Sequence, residues 1–122
     1  MDMPAALGTN TDCHRISEIL SRVGDKWTMQ VVVVLRSEPR RFNELKRQVA
    51  GISQQMLTRT LKTLERDGMV TRTVTATTPP QVEYALTDRG RDLSEPVRQL
   101  AKWAIEHLAK IDESRLQYDQ NR

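Results

Sequence analysis

Hydrophobic positions along the chain keep a period of 3.6 up to residue 68, change to a period of 2, and then return to 3.6. Ile16, Ile19, Leu20 and Val23 recur at helical spacing behind Asp12, a residue type suited to a helix N-cap, and Gly24 closes that first helix. Trp27, Val31, Val34 and Leu35 form one apolar stripe between Trp27 and Arg36, with Pro39 as the stop. The run VVVV alone is strand-prone, but the stripe and the stop favour a helix. In RRFNELKRQVAG, Asn43 is positioned to cap a short helix with Leu45 and Val49 inward and Gly51 at its end. Ser53 then caps a helix that buries Leu57, Leu61 and Leu64, runs to about Arg66 and ends at Asp67-Gly68.

The period-2 stretch comprises two strands. Val70, Arg72 and Val74 alternate with Thr71, Thr73 and Thr75, and Val82, Tyr84 and Leu86 alternate with Glu83 and Ala85, with ATTPP between as the hairpin tip. Asp88 and Gly90 mark the turn into a last helix, where Leu93, Val97, Leu100, Ala104, Leu108 and Ile111 follow at steps of four and three. That narrow seam suits a second helix. We read it as a dimer contact, the alternative being packing within the chain. Residues 1–11 read as a loose arm and 113–122 as a frayed tail, leaving 12–112 as one folded domain.

Two helices joined by a turn containing Gly51 make a helix-turn-helix, and a hairpin directly after the second helix is a wing. The expected fold is therefore mainly α with a small antiparallel β-hairpin, a winged helix-turn-helix. The outward side of 53–66 collects Gln55, Thr58, Arg59, Lys62, Thr63 and Arg66, with Ser53 and Gln54 at its start. Glutamine can read adenine, arginine can read guanine, and threonine can meet a thymine methyl or a phosphate. Lys62 and Arg66, further along, are placed for the DNA backbone. Arg40 and Arg41 before the motif and Arg72 in the wing would bracket the duplex.

Charge supports that face. The net charge of the 122 residues is only +3, but it is unevenly spread. From Arg36 to Arg72, nine basic residues against four acidic ones give +5, and ten against twelve elsewhere leave −2. A winged helix that binds proteins instead of specific DNA is the competing class, and it predicts an apolar or acidic face on 53–66. Catalysis has little support: His14 and His107 lie far apart, and there is no phosphate-cradling glycine loop or nucleophile elbow. Neither an enzyme, a cofactor nor a metal site is expected. One cysteine, Cys13, precludes an intrachain disulfide and fits a reducing compartment. The longest apolar run, VVVVL, is too short to span a bilayer, and the first residues lack a secretory pattern, so a cytoplasmic protein is expected.

GDKWT, RRFNEL, GISQQMLTRTLKTLERDGMVTR and PPQVEYALTDRGRDL, in that order and with Trp103 after them, closely resemble the HxlR-type bacterial transcriptional regulators over about residues 13–106. The resemblance implies a homodimer joined through its first and last helices, which would add Ile16, Ile19 and Leu20 to the interface. It implies binding to palindromic or near-palindromic promoter DNA, most often as a repressor. By position, Ser53, Gln54, Gln55, Thr58 and Arg59 fall where the family's recognition helix meets the groove. Thr77 to Gln81, including Thr78, fall where its wing meets the minor groove. The family commonly has Lys or Arg where this chain has Gln81, and often Cys-Pro where Cys13 is followed by His14.

Several members of the family are thiol sensors with a cysteine at the start of the first helix, which makes Cys13 a redox candidate. The helix start and Arg15 put positive potential near its sulfur, and Asp12 opposes them.

Overall fold

The structure, a computed structural model, describes residues 10–121; of the arm expected over 1–11, residues 1–9 lie outside them and 10–11 belong to the first helix. Helices α1 (Asn10–Gly24) and α2 (Lys26–Ser37) lead into a two-residue strand β1 (Arg40–Arg41). The pair α3 (Phe42–Gln48) and α4 (Gln54–Arg66) follows, then the hairpin β2 (Val70–Thr75) and β3 (Gln81–Leu86), then α5 (Asp88–Gln120). The three strands form an antiparallel sheet in the order β1-β3-β2. Val70 pairs with Leu86 and Thr75 with Gln81, which leaves 76–80 as the tip.

The valine run is helical for a visible reason. Val31, Val32 and Leu35 are buried whereas Val33 is exposed, the pattern of one helix face. A strand would have put Val31 and Val33 on the same side. Asp25 caps this helix, its Oδ1 accepting from the Trp27 amide at 2.9 Å. The core joins that face to Leu45 and Val49 beside α3, Ile52 in the turn, Leu57, Leu61 and Leu64 of α4, and Met69, Val70 and Leu86 at the sheet's base. Gly51, with φ of 82°, makes the turn between α3 and α4 in the left-handed region that glycine tolerates.

Several boundaries differ from those expected. The first helix begins at Asn10, so Asp12 lies in its first turn and does not cap it. The cap of α3 is Arg41, whose amide donates to the Glu44 carboxylate at 3.0 Å, and Asn43 sits inside the helix. Strand β1 has no signal in the sequence: Arg40 and Arg41 pair with Tyr84 and Glu83, and two residues are too few to show a period. Residues 113–120 are no frayed tail but the end of α5, which runs 33 residues, about 50 Å. Thr87 starts α5, its hydroxyl accepting from the Gly90 amide at 3.1 Å while donating to the Gly68 carbonyl at 2.6 Å. Among the described residues no helix is long and apolar enough to cross a membrane.

Candidate nucleic-acid interface

Helix α4 presents its polar side outward because leucines at positions 57, 61 and 64 fix the opposite side in the core. Ser53 sets the start, accepting from the Met56 amide at 3.0 Å. Gln54, Gln55, Arg59, Lys62 and Arg66 are exposed, and Thr58 and Thr63 are half-buried along the same side. Among the described residues, no ion pair involves Arg59, Lys62, Arg66 or Arg72. These four cations outnumber the one carboxylate on that side, Glu65, which lies near Lys62 and Arg72 without pairing to either.

The sheet supplies one of these four cations. Arg72 of β2 joins Tyr84, Thr58, Leu61, Lys62 and Glu65 around a cleft of about 260 Å³ between α4 and the hairpin. At the far end of the hairpin Thr77, Thr78 and Gln81 are exposed, and the Thr77 hydroxyl donates to the Pro79 carbonyl at 2.7 Å. Alternation marks Tyr84 only as an inward strand residue; its place beside Arg72 follows from the hairpin register, in which the two residues stand opposite each other.

The two arginines before the motif separate. Arg41 is exposed beside Asn43 and Arg47. Arg40 is withdrawn, its side chain 17% exposed and paired with Glu38 at 2.9 Å and Glu44 at 3.9 Å. It also donates to the Ser37 hydroxyl at 3.3 Å. These contacts tie the end of α2 to the start of α3, and they leave Arg40 poorly placed to bracket a duplex.

The expected interface residues also divide. Ile19 and Leu20 of α1 and Leu100, Ala104 and Leu108 of α5 are exposed, with Ile16 and Ile111 half-buried. Val97, however, is 1% exposed within the single chain, and Leu93 packs on the core. The first two positions of the seam are therefore occupied by the chain itself, where α5 packs against α2. Beyond the seam, Val33, Trp103, Ile105, Leu116 and Tyr118 are exposed. Leu116 and Tyr118 escape a reading that ends the last helix before them. Trp103 stacks on His107 with ring centroids 4.3 Å apart. Cys13 is half-buried in α1, between the exposed Asp12 and His14.

The family model described as HxlR-like helix-turn-helix matches residues 22–112. An uncharacterized HTH-type transcriptional regulator, YtfH of Escherichia coli, is 38% identical over 94 residues, covering 77% of this chain and 75% of that protein. A putative transcriptional regulator, ytfH from Salmonella typhimurium, superposes with a TM-score of 0.76 at 36% identity, covering 81% of this chain and 88% of that one. The redox regulator HypR in its reduced form gives a TM-score of 0.75 at 35% identity, covering 81% and 98%.

Proposed function

The chain belongs to the HxlR-like helix-turn-helix family, and from that premise we propose that it is a sequence-specific regulator of transcription. It binds double-stranded promoter DNA as a homodimer, with α4 in the major groove and the hairpin tip at the adjacent minor groove. One observation carries this reading: the outward side of α4 joins amides and hydroxyls suited to base edges to exposed cations that form no ion pair among the described residues. A protein-binding winged helix would instead show an apolar or acidic side there. Gln54, Gln55, Thr58 and Arg59 are the base-reading candidates, since they occupy the first part of the helix. Ser53, Lys62, Arg66, Arg72 and Arg41 hold the backbone.

Dimerisation is supported by the apolar positions that α1 and α5 leave exposed, Ile19, Leu20, Leu100 and Leu108 among them. Two copies related by a twofold axis would set their α4 helices about one DNA turn apart, roughly 34–36 Å. Bound across a promoter, such a dimer excludes polymerase and represses. Cys13 lies on α1, one of the two helices of this interface, and HypR is a redox regulator. Oxidation of Cys13 to a disulfide with a second thiol would therefore act where the dimer is held together. Its role requires no catalytic chemistry, cofactor or metal.

Selection of bound duplexes from a randomised library by the wild-type protein tests this. The expected product is a palindrome or near-palindrome with half-sites roughly 10 base pairs apart, centre to centre. Recovery of unenriched sequences contradicts it.

A further inference from the structure

The C-terminal end of α4 is clasped by two arginines, one from the first helix and one from the last. Arg22, in the last turn of α1, places its Nε 3.2 Å from Oδ2 of Asp67, the residue that caps α4. The two side chains are only 25% and 18% exposed. Glu18, one turn back on α1, holds the same guanidinium through Nη2 at 3.5 Å. From the other side Arg89 of α5 donates to the Asp67 carbonyl at 3.1 Å, next to the Thr87 hydrogen bond to Gly68.

An aspartate in this position calls for a cause. A helix C-terminus carries partial negative charge, so a carboxylate there is disfavoured unless a cation answers it. Arg22 is that cation, 45 residues away in sequence. Helix α1 packs on α2, and Arg22 reaches past that contact to the end of α4. The pair is shielded enough to hold a geometry that a fully solvated pair would not. The consequence is that α1 and α5, the helices that would join two copies, both grip the end of the helix that would enter the groove.

Resting on that reading of α4, we propose that Arg22 and Asp67 are positioning residues for operator recognition. Their ion pair fixes the angle between α4 and α1, and so sets the separation of the two α4 helices in the dimer. Neither residue needs to touch DNA. The separation matters because one base pair displaces a half-site by roughly 3.4 Å along the axis and rotates it around the duplex. A dimer whose α4 helices are rigidly spaced discriminates against that displacement; one whose α4 helices can swing does so less.

The test uses the duplex that the full-length wild-type protein selects, together with versions carrying one base pair more or fewer between its half-sites. Arg22→Gln, Asp67→Ala and the double variant are compared by fluorescence anisotropy. Each single variant should bind the selected duplex about threefold or more weakly and show a smaller penalty for altered spacing. The double variant should be no weaker than the singles, since both remove the same interaction. A variant with a lower melting temperature but an unchanged spacing penalty would make the pair merely structural and overturn the proposal. So would losses that add in the double variant. Failure of the wild type to select paired half-sites would remove the DNA-binding reading itself, and this inference with it. An unchanged spacing penalty on a properly selected duplex removes only the role of the pair.

Discussion

Arg59 and Lys62 stand three residues apart on one side of α4, and their depth along the helix assigns them different work. Arg59 lies in the N-terminal half, which in the proposed complex would enter the groove deepest. Arg59→Ala should erase most of the preference at one base position, a cost of about 1–3 kcal/mol, in competition titrations against single-base variants of the selected duplex. Equal discrimination before and after the change would exclude base reading by Arg59. Lys62→Ala should instead weaken every duplex alike and reduce the slope of log affinity against log salt by about one unit. Cys13→Ser should bind DNA as the wild type does but lose any change of affinity on treatment with diamide, which accepts two electrons and two protons as the disulfide forms. A serine variant that still responds would clear Cys13 of that role. Arg59 and Lys62 are legible in the sequence because helix period alone decides which way α4 turns them. Arg40 is not: its withdrawal depends on Glu38 and Glu44 closing around it, and a count of basic residues treats it like Arg41. The contact between Arg22 and Asp67 is equally hidden, its one trace in the sequence being an acid at a helix end that disfavours it.

At the scale of elements, local rules located most of the secondary structure. Ser53 as a cap, the leucine spacing of α4 and the alternation of β2 and β3 are properties of a few neighbouring residues, and each element lies where they place it. Local rules misplaced the caps of α1 and α3, where Asp12 and Asn43 lie inside the helix, and other misses were features settled by distant partners or by none. Strand β1 exists because β3 offers it an edge, and α5 persists to Gln120 although its last turns gain no core. The junction of β2 with α5 yields a sharp test. Gly90 is buried where α5 passes the backbone of Met69, and a Cβ there would collide with the Met69 carbonyl. Gly90→Ala should therefore destabilise the fold by about 3 kcal/mol in urea unfolding, although alanine ordinarily favours helices over glycine. A neutral or stabilising result would mean that α5 can lift off the sheet at little cost.

For the whole molecule, the exposed apolar surface of α1 and α5 is the feature a single chain leaves unexplained. The heptad-like seam in the sequence is real, but spacing cannot say whose core a residue enters. Leu93 and Val97 turn out to serve this chain, and only the part of α5 beyond them is free for a second copy. Leu108 is 58% exposed, so a charge there should leave the monomer folded. In Leu108→Glu, sedimentation velocity should find a dimer dissociation constant raised at least about tenfold, because the twofold axis brings like charges together where apolar side chains would otherwise pack. An unaltered dimer would move the interface off this stretch of α5.

The proposed function is that these elements read DNA sequence. Its most direct test is a fluorescence-anisotropy titration of the reduced wild-type protein at physiological salt, comparing the selected duplex with a scrambled one of the same length. A preference of about 10³-fold or more is the predicted result. Equal, weak and salt-sensitive binding to both would contradict it, and would leave the winged helix as a surface for a protein partner.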